Sequence, residues 1–144
     1  MTGVQTCALP ILLGRNTPLG VRLANNHPVQ DLTPDLDRLD VIVLEFPKFI
    51  DGRAFSQARL LRERYGYRNE LRAVGNVLRD ELLFMHRCGF DAYATRQDRS
   101  IHDALKGLTV FSETYQASVD QPLPLFRRHQ RDVPPEHSDV GAGI

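Results

Sequence analysis

The stretch Val41–Thr95, VIVLEFPKFIDGRAFSQARLLRERYGYRNELRAVGNVLRDELLFMHRCGFDAYAT, decides the fold. It reads as strand, loop, helix, strand, helix, strand. Val41-Ile42-Val43-Leu44 is a continuous β-branched and aliphatic run, the pattern of a strand covered on both faces within a parallel sheet. Pro47 ends it, because proline cannot donate to a strand ladder. Beyond Asp51, the expected helix cap, Phe55, Ala58, Leu61 and Tyr65 recur every three or four residues along one helical stripe. Gly66 is placed to stop that helix in the left-handed conformation. The grammar then repeats. Leu71-Arg72-Ala73-Val74 is a strand, Gly75-Asn76 a turn with Asn76 as expected cap, and Leu78, Leu82 and Met85 the stripe of a second helix that Gly89 stops. Phe90–Ala94 forms a further strand.

Working outward, Gly20-Val21-Arg22-Leu23-Ala24 alternates like a short strand, closed by the turn-favouring Asn25-Asn26-His27-Pro28. Thr33 and Pro34 are suited to open one or two helical turns, as cap and first helical residue. On the other side, Ser100 and Asp103 resemble a capping pair. Ile101, Ala104, Leu105, Leu108, Phe111 or Ser112, and Tyr115 then predict a long amphipathic helix, broken by Pro122 and Pro124. Strands alternating with helices imply an α/β fold with a small, mostly parallel sheet of about four strands and helices on both faces, either flavodoxin-like or part of a barrel. The expected domain spans residues 12–126, with 127–144 a disordered tail. Residues 1–11 carry no charge and no period, and GVQTCALPI resembles translated sequencing-adapter sequence, so they are read as a non-native leader and the native N-terminus as missing.

Composition narrows the function classes. At 144 residues the chain has the size of one domain, and 18 basic residues balance 18 acidic ones. That balance argues against nucleic-acid or membrane partners held by bulk charge. No apolar run approaches the ~20 residues of a membrane helix. The start lacks the positive region of a signal peptide. Two cysteines, Cys7 and Cys88, are too few for a disulfide framework, so a reducing cytoplasm is the expected compartment.

The candidate chemistry gathers at strand-to-helix corners. Right-handed crossovers place all strand C-termini on one edge, where open α/β sheets bind ligands. Glu45, Lys48, Asp51, Gly52, Arg53 and Ser56 fall within one loop and one helical turn. Lys48, Arg53, Ser56 and the Gly52 amide are candidates to hold a phosphate, sulfite or carboxylate. The plainer reading is that Asp51 caps, Gly52 turns and Arg53 pairs with Asp51 or Glu45. Glu45 and Asp51 are the candidate catalytic carboxylates; a half-buried Glu45 gains proton affinity unless an arginine such as Arg72 pairs with it. Arg72 and Arg79, on the next strand and corner, are candidates to complete an anion clamp with Arg53. No metal site is expected, since His86 and Cys88 point to different helix faces and the other histidines lack ligand spacing. The dinucleotide fingerprint G-x-G-x-x-G and the phosphate loop G-x-x-x-x-G-K-[ST] are absent, leaving the cofactor unknown. Cys88, in an apolar helix, reads as a small buried hydrophobe.

The core resembles a bacterial family termed domain of unknown function 934, whose members carry the label of an oxidoreductase in sulfite reduction. The pattern E-F-P-x-F-x-D-G-R-x-x-S-x-A-R-x-L-R-x-R-x-G-Y is met from Glu45 to Tyr67, E-L-R-A-x-G-x-V from Glu70 to Val77, and R-C-G-F-D from Arg87 to Asp91. The likeness runs from about Leu19 to Phe126. Asn76 stands where the family usually has aspartate. The resemblance implies a role in sulfur assimilation with sulfite reductase as partner, and an anion-handling rim at Lys48, Asp51, Arg53, Ser56, Arg72 and Arg79. Three readings follow. The first is an accessory protein of assimilatory sulfite reduction that binds a small oxyanion or docks on the reductase. The second is an oxidoreductase borrowing a flavin or nicotinamide cofactor, and the third a structural interaction module using the helix from Ser100 to Asp120.

Overall fold

The computed structural model describes residues 17–128, so the expected leader and all of the tail beyond Arg128 lie outside it. Four strands, β1 (Gly20–Leu23), β2 (Val41–Phe46), β3 (Glu70–Gly75) and β4 (Ala92–Tyr93), form one sheet in the order β1-β2-β3-β4. Every pairing is parallel: Leu23 lies beside Leu44, Ile42 beside Leu71, and Ala73 beside Tyr93. The expected α/β architecture with a parallel sheet of four strands is the one observed.

Each strand is followed by a helical segment. A 3-10 helix, Val29–Arg38, follows β1 and starts before Thr33, with Pro34 inside it. Helix α1 (Arg53–Arg59) follows β2 and runs on as a π-helical turn, Leu60–Arg64, before Gly66 ends it at φ +67°. A 3-10 turn, Arg79–Glu81, leads into α2 (Leu82–Arg87) after β3, and α3 (Ile101–Leu105) follows β4. The long helix expected from Ser100 is cut short. It tightens to 3-10 over Lys106–Thr109 and ends, because three poor helix formers, Gly107, Thr109 and Val110, fall within four residues. Arg127 and Arg128, placed in the tail by sequence, belong to a short helix α4, Leu125–Arg128.

Helices on both faces were expected; the helical segments that follow the four strands share one face. Ile42, Leu44 and Phe46 of β2 and Leu71 and Ala73 of β3 are buried, whereas the residues between them are partly or fully exposed. The buried strand residues join Val29, Leu36, Ala54, Ala58, Leu61, Val77, Leu82, Met85, Phe90 and Ala104 in one core cluster. Adjacent strands taken in chain order by right-handed crossovers send every helix to the same side. A flavodoxin-like sheet needs a reversal of strand order that is absent here. The partial-barrel alternative fits. The β-branched run in β2 is therefore half-buried: Val41 and Val43 face outward between fully buried Ile42 and Leu44.

Candidate functional site

The C-terminal ends of β1 and β2 build the most polar corner. Asp51 sits one residue before Gly52, the first residue flanking α1, and accepts the Arg53 backbone N–H at 3.3 Å. Its two carboxylate oxygens also accept Arg53 Nε at 2.9 Å and Nη2 at 2.6 Å, and Asn25 Nδ2 reaches across from the loop after β1 at 2.6 Å. The Arg53 hydrogen bonds hold the Asp51 carboxyl well below the usual carboxylate range. Asp51 is thus an ionised anchor that ties the first corner to the second, a geometry that leaves it no proton to donate. Arg53 is oriented by the same fork, and its Nη1 has no hydrogen-bond partner among the described residues.

Beneath this corner, Gln57 is buried on α1 within the stripe Ala54, Ala58 and Leu61. Its Nε2 donates to the Ala24 and His27 carbonyls, at 3.2 and 2.8 Å, fastening the loop after β1 to the helix. Two carbonyl acceptors fix the amide orientation, which leaves Oε1 buried without a partner. A polar residue inside an apolar helical stripe was the available signal for Gln57, and sequence reasoning passed over it. Next to it lies an open hollow of about 330 Å³, lined by Asn25, Asn26, His27, Pro28, Arg53, Ser56, Gln57 and Leu60 among others.

The remaining candidates are distributed elsewhere. Glu45 projects from the uncovered sheet face and pairs with Arg22 of β1 at 2.8 Å, not with Arg53 or Arg72. Arg72 lies on that same face and is tied to Glu70. Arg79, after β3, pairs with Asp103 of α3 at 3.2 Å. The expected three-arginine clamp is not assembled: each guanidinium is committed to its own carboxylate. Lys48 is exposed at the β2 corner and is paired with no carboxylate of the described residues. Asn76 does not cap a helix. Its backbone N–H donates to the Phe46 carbonyl and its Oδ1 accepts Arg96 Nη1 at 3.4 Å, because the chain turns through Gly75 at φ +99°. A Cβ on Gly75 would meet the Phe46 carbonyl oxygen at 2.4 Å.

The opposite, N-terminal rim carries a second polar network that sequence reading did not single out. Arg62, in the π-helical turn and only 8% exposed, donates to the carbonyls of Gly89, Tyr67 and Asn69 and to Asp91 Oδ2, at 2.7–2.8 Å. Asp91 Oδ1 accepts the Leu71 backbone N–H at 2.8 Å, and Tyr67 OH reaches the Leu39 and Glu70 carbonyls. Burial pushes the Tyr67 phenol up to about 12 and raises the Cys88 thiol, so Cys88 is a poor nucleophile and packs as a hydrophobe, as expected. Among the described residues no group of three His, Cys, Asp or Glu could hold a metal, and no helix is long and apolar enough to cross a membrane.

A family model described as a bacterial protein of unknown function, DUF934, matches residues 20–126. The chain belongs to this family. No curated protein and no solved structure matches it. The DUF934 match covers all four strands and both polar rims. The E-F-P…D-G-R-x-x-S part of the DUF934 pattern lies at the C-terminal corner. Arg62, Tyr67, Glu70 and Asp91, from its later parts, build or adjoin the N-terminal clamp.

Proposed function

We propose that this DUF934 protein is a cytoplasmic accessory component of sulfite reduction that holds a small oxyanion, sulfite or one of its size and charge, at the C-terminal corner. The observation that carries the reading is the set of uncommitted polar groups at the hollow. Arg53 Nη1, the Ser56 hydroxyl and the His27 ring have no hydrogen-bond partners among the described residues, and all three residues line it. Lys48 adds, at the same corner, a charge with no carboxylate partner among the described residues. Asp51 supports this role: it consumes one side of the Arg53 fork and thereby presets the other, so that little side-chain entropy is lost on binding. The sulfur-assimilation setting, with sulfite reductase as partner, comes from the family resemblance. Neither Glu45, paired on the uncovered face, nor Asp51, held ionised, is needed for chemistry in this reading, which makes the protein a carrier or docking component.

Thermal unfolding with and without sulfite is the test. Sulfite at about a hundred times its Kd stabilises by ~2.7 kcal/mol. Arg53→Ala is expected to abolish the shift and Ser56→Ala to weaken it, with Arg72→Ala, on the uncovered face, leaving it intact. No shift with sulfite, sulfate or phosphate refutes oxyanion binding at this corner.

A further inference from the structure

The uncovered sheet face is the least explained surface of the molecule. Parallel sheets bury both faces, because their strands are joined by crossovers and rarely carry a solvated side. Here one face is packed under helices. The other presents Arg22, Val43, Glu45, Glu70, Arg72 and Val74, of which the valines are only partly buried. The four strands run in chain order, each followed by its own helical segment on the covered side. Sequential parallel strands with all helices outside are the arrangement of a (βα)8 barrel, whose inner face is covered by closure. Four strands are half of that number. The outer edges of β1 and β4 have no strand partner among the described residues.

We propose that two copies of this chain close a single eight-stranded barrel about a two-fold axis, β4 of each pairing in parallel with β1 of the other. A second copy is the occupant that supplies four more strands in the same order. Charge agrees. The face carries two arginines and two glutamates already joined as Arg22–Glu45 and Arg72–Glu70, so it is neutral and meets an identical face without like-charge excess. A strongly acidic or basic partner has no complement here. Closure would also bring both copies' C-terminal corners around one mouth, the end of a barrel where sites are built. The inference stands independently of the oxyanion reading.

Sedimentation equilibrium of the full chain, with hydrogen exchange, tests it. The expected mass is twice 16.3 kDa, and the β1 and β4 amides should be protected like those of β2 and β3. Val43→Asp, on the lining and outside the core cluster, is expected to weaken dimerisation more than tenfold while retaining the circular dichroism of the wild type. Val74→Lys provides a second, independent lining change. A wild-type monomer at the highest soluble concentration overturns the proposal, and so does a monomer whose open face is protected only on adding sulfite reductase. A dimer whose β1 and β4 edges exchange freely, or one that folded Val43→Asp leaves intact, overturns it equally.

Discussion

Replacing Arg62 with alanine should remove a large polar contribution to the fold. The guanidinium is 8% exposed and donates four hydrogen bonds, three to backbone carbonyls that belong to the ends of α1 and α2 and the approach to β3, and one to Asp91. The part-buried Gly89 and Tyr67 carbonyls each cost about 1 kcal/mol when left without a donor, whereas the exposed Asn69 carbonyl regains water. Asp91 is 48% exposed and regains water, so its share is at most ~1 kcal/mol. The sum is roughly 2–3 kcal/mol, a large part of the ~5–15 kcal/mol that holds a domain together. Urea denaturation followed by circular dichroism measures it, and the corresponding fall in Tm is about 8–12 °C for a domain of this size. Arg62→Lys keeps the charge but loses the fork, and should recover less than half of the loss. If Arg62→Ala costs under 1 kcal/mol, the clamp account is wrong and the hydrogen bonds are replaced by water without penalty.

Gly75→Ala is expected to destabilise by at least ~2 kcal/mol in the same assay, since its Cβ meets the Phe46 carbonyl oxygen at 2.4 Å and φ is +99°. Asp51 has its folded pKa lowered, so the stability it contributes is complete above the unfolded value near 3.8 and is lost as pH falls below it. The stability gap between wild type and Asp51→Asn should therefore stay constant from pH 5 to 8 and shrink below pH 4; a gap unchanged at pH 2.5 contradicts the pairing with Arg53. Tyr67 has its pKa raised to about 12, so its contribution is complete below pH 10 and is lost as pH rises from 10 through 12. Tyr67→Phe should cost ~1–2 kcal/mol at pH 7 through the hydrogen bonds to Leu39 and Glu70, and should blunt the alkaline loss seen in pH-dependent unfolding.

The strand and helix positions were legible because they depend on local spacing. Val41–Leu44, the stripe through Ala58 and Leu61, and the stops at Gly66 and Gly89 all announce themselves within a few residues. The gathering of Asp51, Gly52, Arg53 and Ser56 at one corner was legible for the same reason, since a strand end and the first turn of the next helix are neighbours in the chain. The partner of each charge was not. Glu45 finds Arg22 from 23 positions away, Arg79 finds Asp103 from 24, and Arg62 finds Asp91 from 29. Such distances along the chain are closed only by strand order, which no local pattern encodes.

By itself the amino-acid sequence determined an alternating α/β chain, the central part of its core from Ile42 to Met85 and the polar character of its second corner, because periodicity and turn chemistry act over one or two turns of backbone. The stripe from Ile101 to Tyr115, by contrast, leaves Ile101, Leu105, Phe111 and Tyr115 exposed. Only the tertiary structure decided that the sheet runs β1-β2-β3-β4 with one face bare, that three arginines are each spent on separate carboxylates, and that Gln57 and Arg62 bind loops to the frame. The same outward-facing valines suit a strand covered on both sides or on one. What settles it is the order of the neighbours, a property of how crossovers pack and not of any residue within the strand.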